Sequence, residues 1–247
     1  MKVTFLGTGS AMQSADRAQT GILVEGDDGD GDDSRVLIDV GAGVLHRLQE
    51  AASFEAVGHV LLTHHHLDHV SDLLPLLKAR WLAGAESLSV AGPPGTEALV
   101  ADLLSVHEYM QDRVDLTVRD LSPGEFEFGG FEVAARETRH SMPGYAYRIG
   151  DAFAFSGDSE AFPDLAAFAD GCDVFAHDCS FPDEVDVSNH PTPDSLGRAL
   201  AGVDVGTVVL THLYPHTDGN HDGMRASIAD HYDGAVRVGE DLQTVRI

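Results

Sequence analysis

With 247 residues, 41 acidic side chains and 15 Lys plus Arg, the chain is long enough for a buried core and carries a formal net charge of −26. That charge disfavours nucleic acid as an electrostatic partner at low salt, and two cysteines, Cys172 and Cys179, are too few for a thiolate zinc site. No apolar run approaches the roughly 20 residues needed to span a bilayer, so no membrane partner is expected.

The first residues, Met1–Gly7, lack the apolar core and cleavage site of a signal peptide and read as a strand at 2–6. Gly7-Thr8-Gly9-Ser10 follows as a tight turn. It is no phosphate loop, because no Gly-Lys-Ser/Thr comes after it. Strands at 21–24 and 35–39 flank Glu25–Asp33, an acidic stretch whose glycine spacing departs from the calcium-loop pattern. It reads as a solvated hairpin loop. Gly41 and Gly43 open a helix over 43–53 with Leu45, Leu48 and Ala52 as its apolar stripe. A strand at 58–62, a helix at 72–83 and a strand at 87–91 follow. Pro93-Pro94-Gly95 then turns the chain into a helix at 95–106. Strands are expected at 113–118, 125–128, 131–137, 145–149 and 152–156, a helix at 162–169, and a strand at 173–177. Thr192 as N-cap and Pro193 at the first helical position start a helix over 193–202. A strand at 206–211, a helix at 222–231 and strands at 235–238 and 242–246 complete the chain. Strand pairs followed by alternating strands and helices predict an α/β fold of two sheets covered by helices, in one domain over 1–247.

The segment Thr63-His64-His65-His66-Leu67-Asp68-His69 leaves the apolar run Val60-Leu61-Leu62 and is expected as a loop. Imidazoles at i and i+2 project from one side of extended backbone, so His64 and His66 suit one metal ion. Asp68 and His69, beyond the turn, suit a second. His65 points to the opposite side and reads as packing. Further ligand types close apolar β-type segments downstream: His140, Asp158 and His212. Five histidines and two aspartates suit zinc, with manganese or iron as second choices. His59, His107, His216, His221 and His231 have no partner at metal spacing. Trp81 and Tyr109 read as core or surface aromatics.

These residues resemble the metallo-β-lactamase superfamily, and within it the ribonuclease Z-like branch. The resemblance covers nearly the whole chain. It rests on Gly7–Ala11, Leu37–Gly43, Thr63–His69, His140-Ser141, Ser156-Gly157-Asp158 and Thr211-His212. It implies a four-layer αβ/βα sandwich of two mixed sheets flanked by helices. His64, His66 and His140 resemble the ligands of one zinc, Asp68, His69 and His212 those of a second, and Asp158 the bridging carboxylate. His177-Asp178-Cys179-Ser180 stands where the branch has a His-Glu-Ala-Thr segment, and Asn189-His190-Pro191-Thr192 is similar to its His-Ser-Thr segment. His190 then takes the acid–base role, with Asp178 orienting it. A homodimer is also implied.

The resemblance implies hydrolysis of a phosphodiester by a hydroxide formed from a metal-bridging water that Asp68 orients or deprotonates. The chain departs from its family in one respect. Only seventeen residues separate His140 from Asp158, where ribonuclease Z carries a long tRNA-gripping arm. A small or cyclic phosphodiester thereby stands beside an RNA end as substrate. Two alternatives remain: a thioester, lactone or sulfate-ester hydrolase on the same metals, and a metal-stabilised binding or sensor module.

Composition adds an expectation about environment. Lys2 and Lys78 are the only lysines against thirteen arginines, and Asp outnumbers Glu about two to one. Such a surface repels itself in dilute buffer and is screened by salt, the signature expected of a halophilic, cytoplasmic protein with free thiols.

Overall fold

The computed structural model describes residues 1–26, 34–185 and 187–247. Residues 27–33, the core of the acidic stretch expected as a hairpin loop, lie outside the described residues. The first sheet takes β1 (Lys2–Gly7), β2 (Gly21–Glu25), β3 (Arg35–Ile38), β4 (His59–Leu61), β5 (Ser87–Gly92) and β6 (Asp115–Asp120). The second takes β7 (Gly124–Phe128), β8 (Phe131–Glu137), β9 (Tyr145–Ile149), β10 (Phe153–Phe155), β11 (Val174–Asp178), β12 (Thr207–Thr211) and β13 (Ala235–Val238). The last strand, β14 (Gln243–Arg246), returns to the first sheet and pairs antiparallel with β1. The orders are β14-β1-β2-β3-β4-β5-β6 and β13-β12-β11-β10-β9-β8-β7.

Both sheets are mixed. Each begins antiparallel, through β1–β3 or β7–β10, and turns parallel through β3–β6 or β10–β13. Strands of this kind bury both faces, and their side chains divide with the period of two that a strand imposes. Val3, Phe5, Ile22, Val24, Leu61, Phe153, Phe155 and Val209 fill the space between the sheets. Their neighbours Leu23, Val60 and Leu62 face outward, against α1 (Val44–Ala51), α3 (Leu73–Ala83) and α4 (Thr96–Val106). Phe175, Val208 and Leu210 meet α5 (Pro163–Phe168), α6 (Pro193–Leu200) and α7 (His221–Ala229) on the far side. The result is the expected four-layer sandwich. Burying each large apolar side chain contributes about 1.5–3 kcal/mol, which sets the core against the repulsion of the acidic surface.

Every strand and helix read from the sequence is present, within a few residues at its ends. Pro193 opens α6 as expected, and Thr192 N–H donates to Ser195 Oγ at 2.9 Å. The loop expected through Thr63–His69 needs correction, because Leu67–Val70 forms a helical turn, α2. No helix among the described residues is long and apolar enough to cross a membrane.

The parallel strands of both sheets end at one edge. There the sheets are tied together by Tyr145 N–H donating to the Thr63 carbonyl at 2.9 Å and by the Tyr147 hydroxyl donating to the Leu62 carbonyl at 2.8 Å.

Candidate metal centre

Chain termini of strands supply the polar groups of this edge. Asp39 follows β3, His64 and His66 follow β4, His140 follows β8, Asp158 follows β10, Ser180 follows β11 and His212 follows β12. The turn of α2 reverses the chain after His66. His69 N–H donates to the His66 carbonyl at 3.0 Å, and Val40 N–H to the His69 carbonyl at 2.7 Å, so Asp68 and His69 face back toward the cluster. Two glycines allow this crowding. A Cβ on Gly41 would lie 2.0 Å from the Asp68 carbonyl oxygen, and Gly157, at φ 58, passes a built Cβ within 3.0 Å of Thr63.

The seven expected ligands form two overlapping sets. In one, His64 Nε2 lies 3.0 Å from His66 Nδ1, which lies 3.1 Å from His140 Nε2. Asp158 Oδ2 stands 3.6 Å and 3.8 Å from the outer two. In the other, His212 Nε2 is 3.1 Å from Asp68 Oδ2 and 3.3 Å from Asp158 Oδ2. His69 Nε2 is 3.2 Å from Asp158 Oδ1 and 3.7 Å from Asp68 Oδ2. Each set converges within 4.8 Å, with Asp158 common to both. A tetrahedral ion held at about 2.0–2.1 Å separates its ligand atoms by about 3.3 Å, which is the spacing found here. His69 Nε2 and Asp158 Oδ1 are buried and face each other at 3.2 Å, yet neither makes a well-aligned hydrogen bond among the described residues. Buried orphans of this kind call for a cation.

Hydrogen bonds on the outer side of the rings determine where their lone pairs point. His69 Nδ1 lies 2.7 Å from Asp39 Oδ2, an acceptor, so it carries the proton and leaves Nε2 a lone pair. His140 Nδ1 donates to the Asn189 carbonyl at 3.0 Å, with the same consequence. Thr63 Oγ1 gives its proton to Asp39 Oδ2 at 2.7 Å and therefore accepts from His64 Nδ1 at 3.1 Å. Ser180 Oγ donates to Asp178 Oδ1 and accepts from His212 Nδ1 at 2.9 Å. Four imidazoles thus present an Nε2 lone pair to the cluster.

Electrostatics agree with the geometry. Burial and then the neighbouring His69 hold His64 well below the usual imidazole range against the opposing pull of Asp158, and burial likewise lowers His66. Burial opposes charge on Asp158, but His212, His69 and His64 outweigh it and hold its carboxyl well below the usual range. At His69 burial is overcome by Asp158 and Asp39, and at His212 by Asp158 and Asp68, so both are raised. Protons and a divalent ion compete for these lone pairs.

Beside the cluster, His190 Nδ1 lies 2.7 Å from Asp178 Oδ2, and Asp178 is fully buried. Burial opposes the charge on His190, yet Asp178, with Asp158 and Asp68 behind it, raises it to about 9. The His190 ring stacks on His212 at 5.3 Å and meets His140 edge-on at 5.0 Å. The structure therefore brings together all nine residues singled out from the sequence. His65 turns away, with Nε2 2.8 Å from Thr96 Oγ1. Trp81 and Tyr109 flank the Lys78 ammonium, at 3.7 Å and 4.9 Å.

Sequence reasoning missed Asp39, Thr63 and Ser180 as supports. Asp39 carried a usable signal, since it follows an apolar strand just as Asp158 does. It also missed Phe181 and Tyr214, whose rings stack at 4.5 Å beside His190. Burial, with Asp68, Asp158 and Asp178 nearby, raises the Tyr214 phenol to about 12.

Fold and centre together define a metal-dependent hydrolase. The β-lactamase superfamily domain matches residues 34–213. Ribonuclease Z of Mycobacterium marinum is 30% identical over 290 residues, an alignment that covers 100% of this chain and 99% of that protein. The alignment is longer than the chain, so the relative carries residues with no counterpart here. Ribonuclease Z of Methanopyrus kandleri is 38% identical over 149 residues, 59% of this chain, which spans only 48% of that relative. The metallo-β-lactamase fold protein YhfI of Bacillus subtilis superposes with a TM-score of 0.83 at 25% identity, covering 99% of this chain and 98% of that one. The chain belongs to the metallo-β-lactamase superfamily, in its ribonuclease Z-like branch.

Proposed function

We propose that this protein hydrolyses phosphodiester bonds. His64, His66 and His140 would hold one zinc ion, Asp68, His69 and His212 a second, and Asp158 would bridge them. The observation that carries the reading is the His190–Asp178 pair at 2.7 Å, seated against both ligand sets. A hydrolase of this kind needs a proton donor for the leaving alkoxide as well as a nucleophile. When bound, the ions lower the pKa of a water to near neutrality and polarise a phosphoryl oxygen. Asp68 would orient that nucleophile or take its proton. Asp178 fixes His190 through Nδ1, leaving Nε2 to deliver a proton to the departing oxygen.

The relatives named ribonuclease Z support an RNA end as substrate. The net charge of −26 and the short His140–Asp158 interval, which holds only β9 and β10, favour a smaller or cyclic phosphodiester as the second reading.

Hydrolysis of bis(p-nitrophenyl) phosphate with added zinc or manganese, at molar KCl, tests the proposal alongside thioester, lactone and sulfate-ester substrates. The diester is expected to turn over, Asp68→Ala to lose that turnover, and elemental analysis to find two ions per chain. Turnover of acyl substrates alone would move the reaction to an acyl carbon. Ligand binding with no turnover of any ester would favour a binding module.

A further inference from the structure

We propose that Phe181 and Tyr214 form a stacking platform for a nucleobase on the leaving-group side of the scissile phosphate, so that the substrate is a nucleotide-type phosphodiester. This rests on the phosphodiesterase reading for the position of the phosphate, and on separate observations for the platform.

A column of rings leaves the metal centre. His69 stacks on His212 at 5.5 Å and 28°, and His212 stacks on His190 at 5.3 Å and 9°. Phe181 and Tyr214 meet the His190 ring edge-on, each at 6.2 Å, and Tyr214 also lies 5.7 Å from the His212 ring. They reach each other from different segments, one after β11 and one after β12, and stack at 4.5 Å and 25°. The exposed ring of His216 adds a third member, 5.5 Å from Phe181. The proposed acid and one ligand ring thus both border the aromatic pair.

Bracing the two loops is the plain structural role for such a pair, and two features exceed it. Phe181 and Tyr214 are only half-buried and belong to none of the three hydrophobic cores. The hydroxyl of Tyr214 also makes no hydrogen bond among the described residues. Those of Tyr145, Tyr147 and Tyr232 each donate to a backbone carbonyl. The pair therefore offers a ligand both apolar ring surface and an unused donor.

Charge explains why stacking suits this chain. A surface at −26 cannot recruit a nucleotide through a field of cations. Base–aromatic stacking needs no cation, tolerates any base and persists at high salt, where ionic contacts fade.

The test is calorimetric titration of the zinc-loaded protein at molar KCl with AMP, with methyl phosphate and with a short oligoribonucleotide. AMP is expected to bind roughly tenfold or more tighter than methyl phosphate, the size of one base–aromatic stack. Phe181→Leu should erase that difference, Phe181→Tyr should keep it, and methyl phosphate should bind all forms alike. Tyr214→Leu probes the same surface from the other ring if Phe181→Leu does not fold. A Phe181 effect on the oligoribonucleotide alone supports the platform and assigns the base to RNA, whereas an effect on AMP admits free nucleotides. Equal binding of AMP and methyl phosphate by the wild type, with an oligoribonucleotide indifferent to Phe181→Leu, overturns the proposal. Binding is read without turnover, so a protein that stacks AMP but cleaves no phosphodiester would refute the reaction and leave the platform standing.

Discussion

Asp39 accepts a hydrogen bond from His69 Nδ1 at 2.7 Å while its own backbone is held in the left-handed region, at φ 61. The same carboxylate accepts from Thr63 N–H and Thr63 Oγ1, both at 2.7 Å, and through that hydroxyl it also orients His64. One buried side chain thereby aims an imidazole of each proposed ion site. Removing such a support costs about 10–100-fold in metal affinity. Asp39→Asn, which tolerates the left-handed backbone, should weaken zinc binding by that factor. Competition with a fluorescent chelator measures it, and unchanged zinc affinity in Asp39→Asn would remove Asp39 from the centre's design.

His190 supplies the pH prediction. Its value of about 9 lies above the ordinary 6.5, so the protonated form prevails at neutral pH. Activity that needs this proton is present at neutral pH and falls as pH rises through the folded value. The ion pair's contribution to stability has the same sign: full below about 6.5 and lost through about 9. Bound cations offset Asp68 and Asp158 and draw the limb downward. Asp178→Asn removes the leading raising influence and should shift the alkaline limb to lower pH. A pH–rate profile with the limb unmoved would break the pairing.

The leaving group offers an independent check on His190. A general acid contributes about 10²–10⁴-fold when the departing oxygen is a poor leaving group. His190→Ala should therefore lose that factor on a diester with an alkoxide leaving group. On bis(p-nitrophenyl) phosphate, whose phenolate departs readily without a proton, the loss should be much smaller. Equal losses on both substrates would assign His190 to binding.

Chelation should destabilise the fold. Two overlapping clusters of buried and half-buried carboxylates and imidazoles share Asp158, and a ligand present at 1,000 times its Kd stabilises by about 4 kcal/mol per site. For a chain of this size each kcal/mol moves Tm by roughly 2–4 °C, so removing one ion should lower Tm by about 10 °C. Because His69 and His212 bind protons more tightly than free imidazole, zinc affinity should weaken as pH falls. Scanning fluorimetry with and without chelator, repeated across pH, reads both effects. A Tm indifferent to chelator would count against a resident metal.

Salt is the fourth variable. Carboxylates outnumber basic side chains 41 to 15, and their repulsion acts on the compact state as a whole. The Debye length falls from about 10 Å at 0.1 M to about 3 Å at 1 M, which suppresses most of that repulsion. Stability and activity should both rise into the molar range of KCl. Equal Tm in dilute buffer and at 1 M KCl would dismiss the halophilic reading.

The sequence by itself determined the strands, the helices and the candidate ligand types at the strand ends. The cause is local: a strand exposes alternate residues to opposite faces, so Val60, Leu61 and Leu62 announce a strand buried on both sides wherever the chain places it. His64 and His66 share a side for the same reason. Tertiary structure alone decided which groups meet across the molecule. Asp39 reaches His69 because β3 and β4 lie side by side in one sheet, and His212 reaches Asp68 because the two sheets join at one edge. β14 joins β1 from the other end of the chain, with Lys2 opposite Arg246. Phe181 and Tyr214 stack because β11 and β12 run parallel and release their chains at the same end. No periodicity encodes such encounters. They follow from how cores pack and register, which depends on residues far apart in the chain acting together.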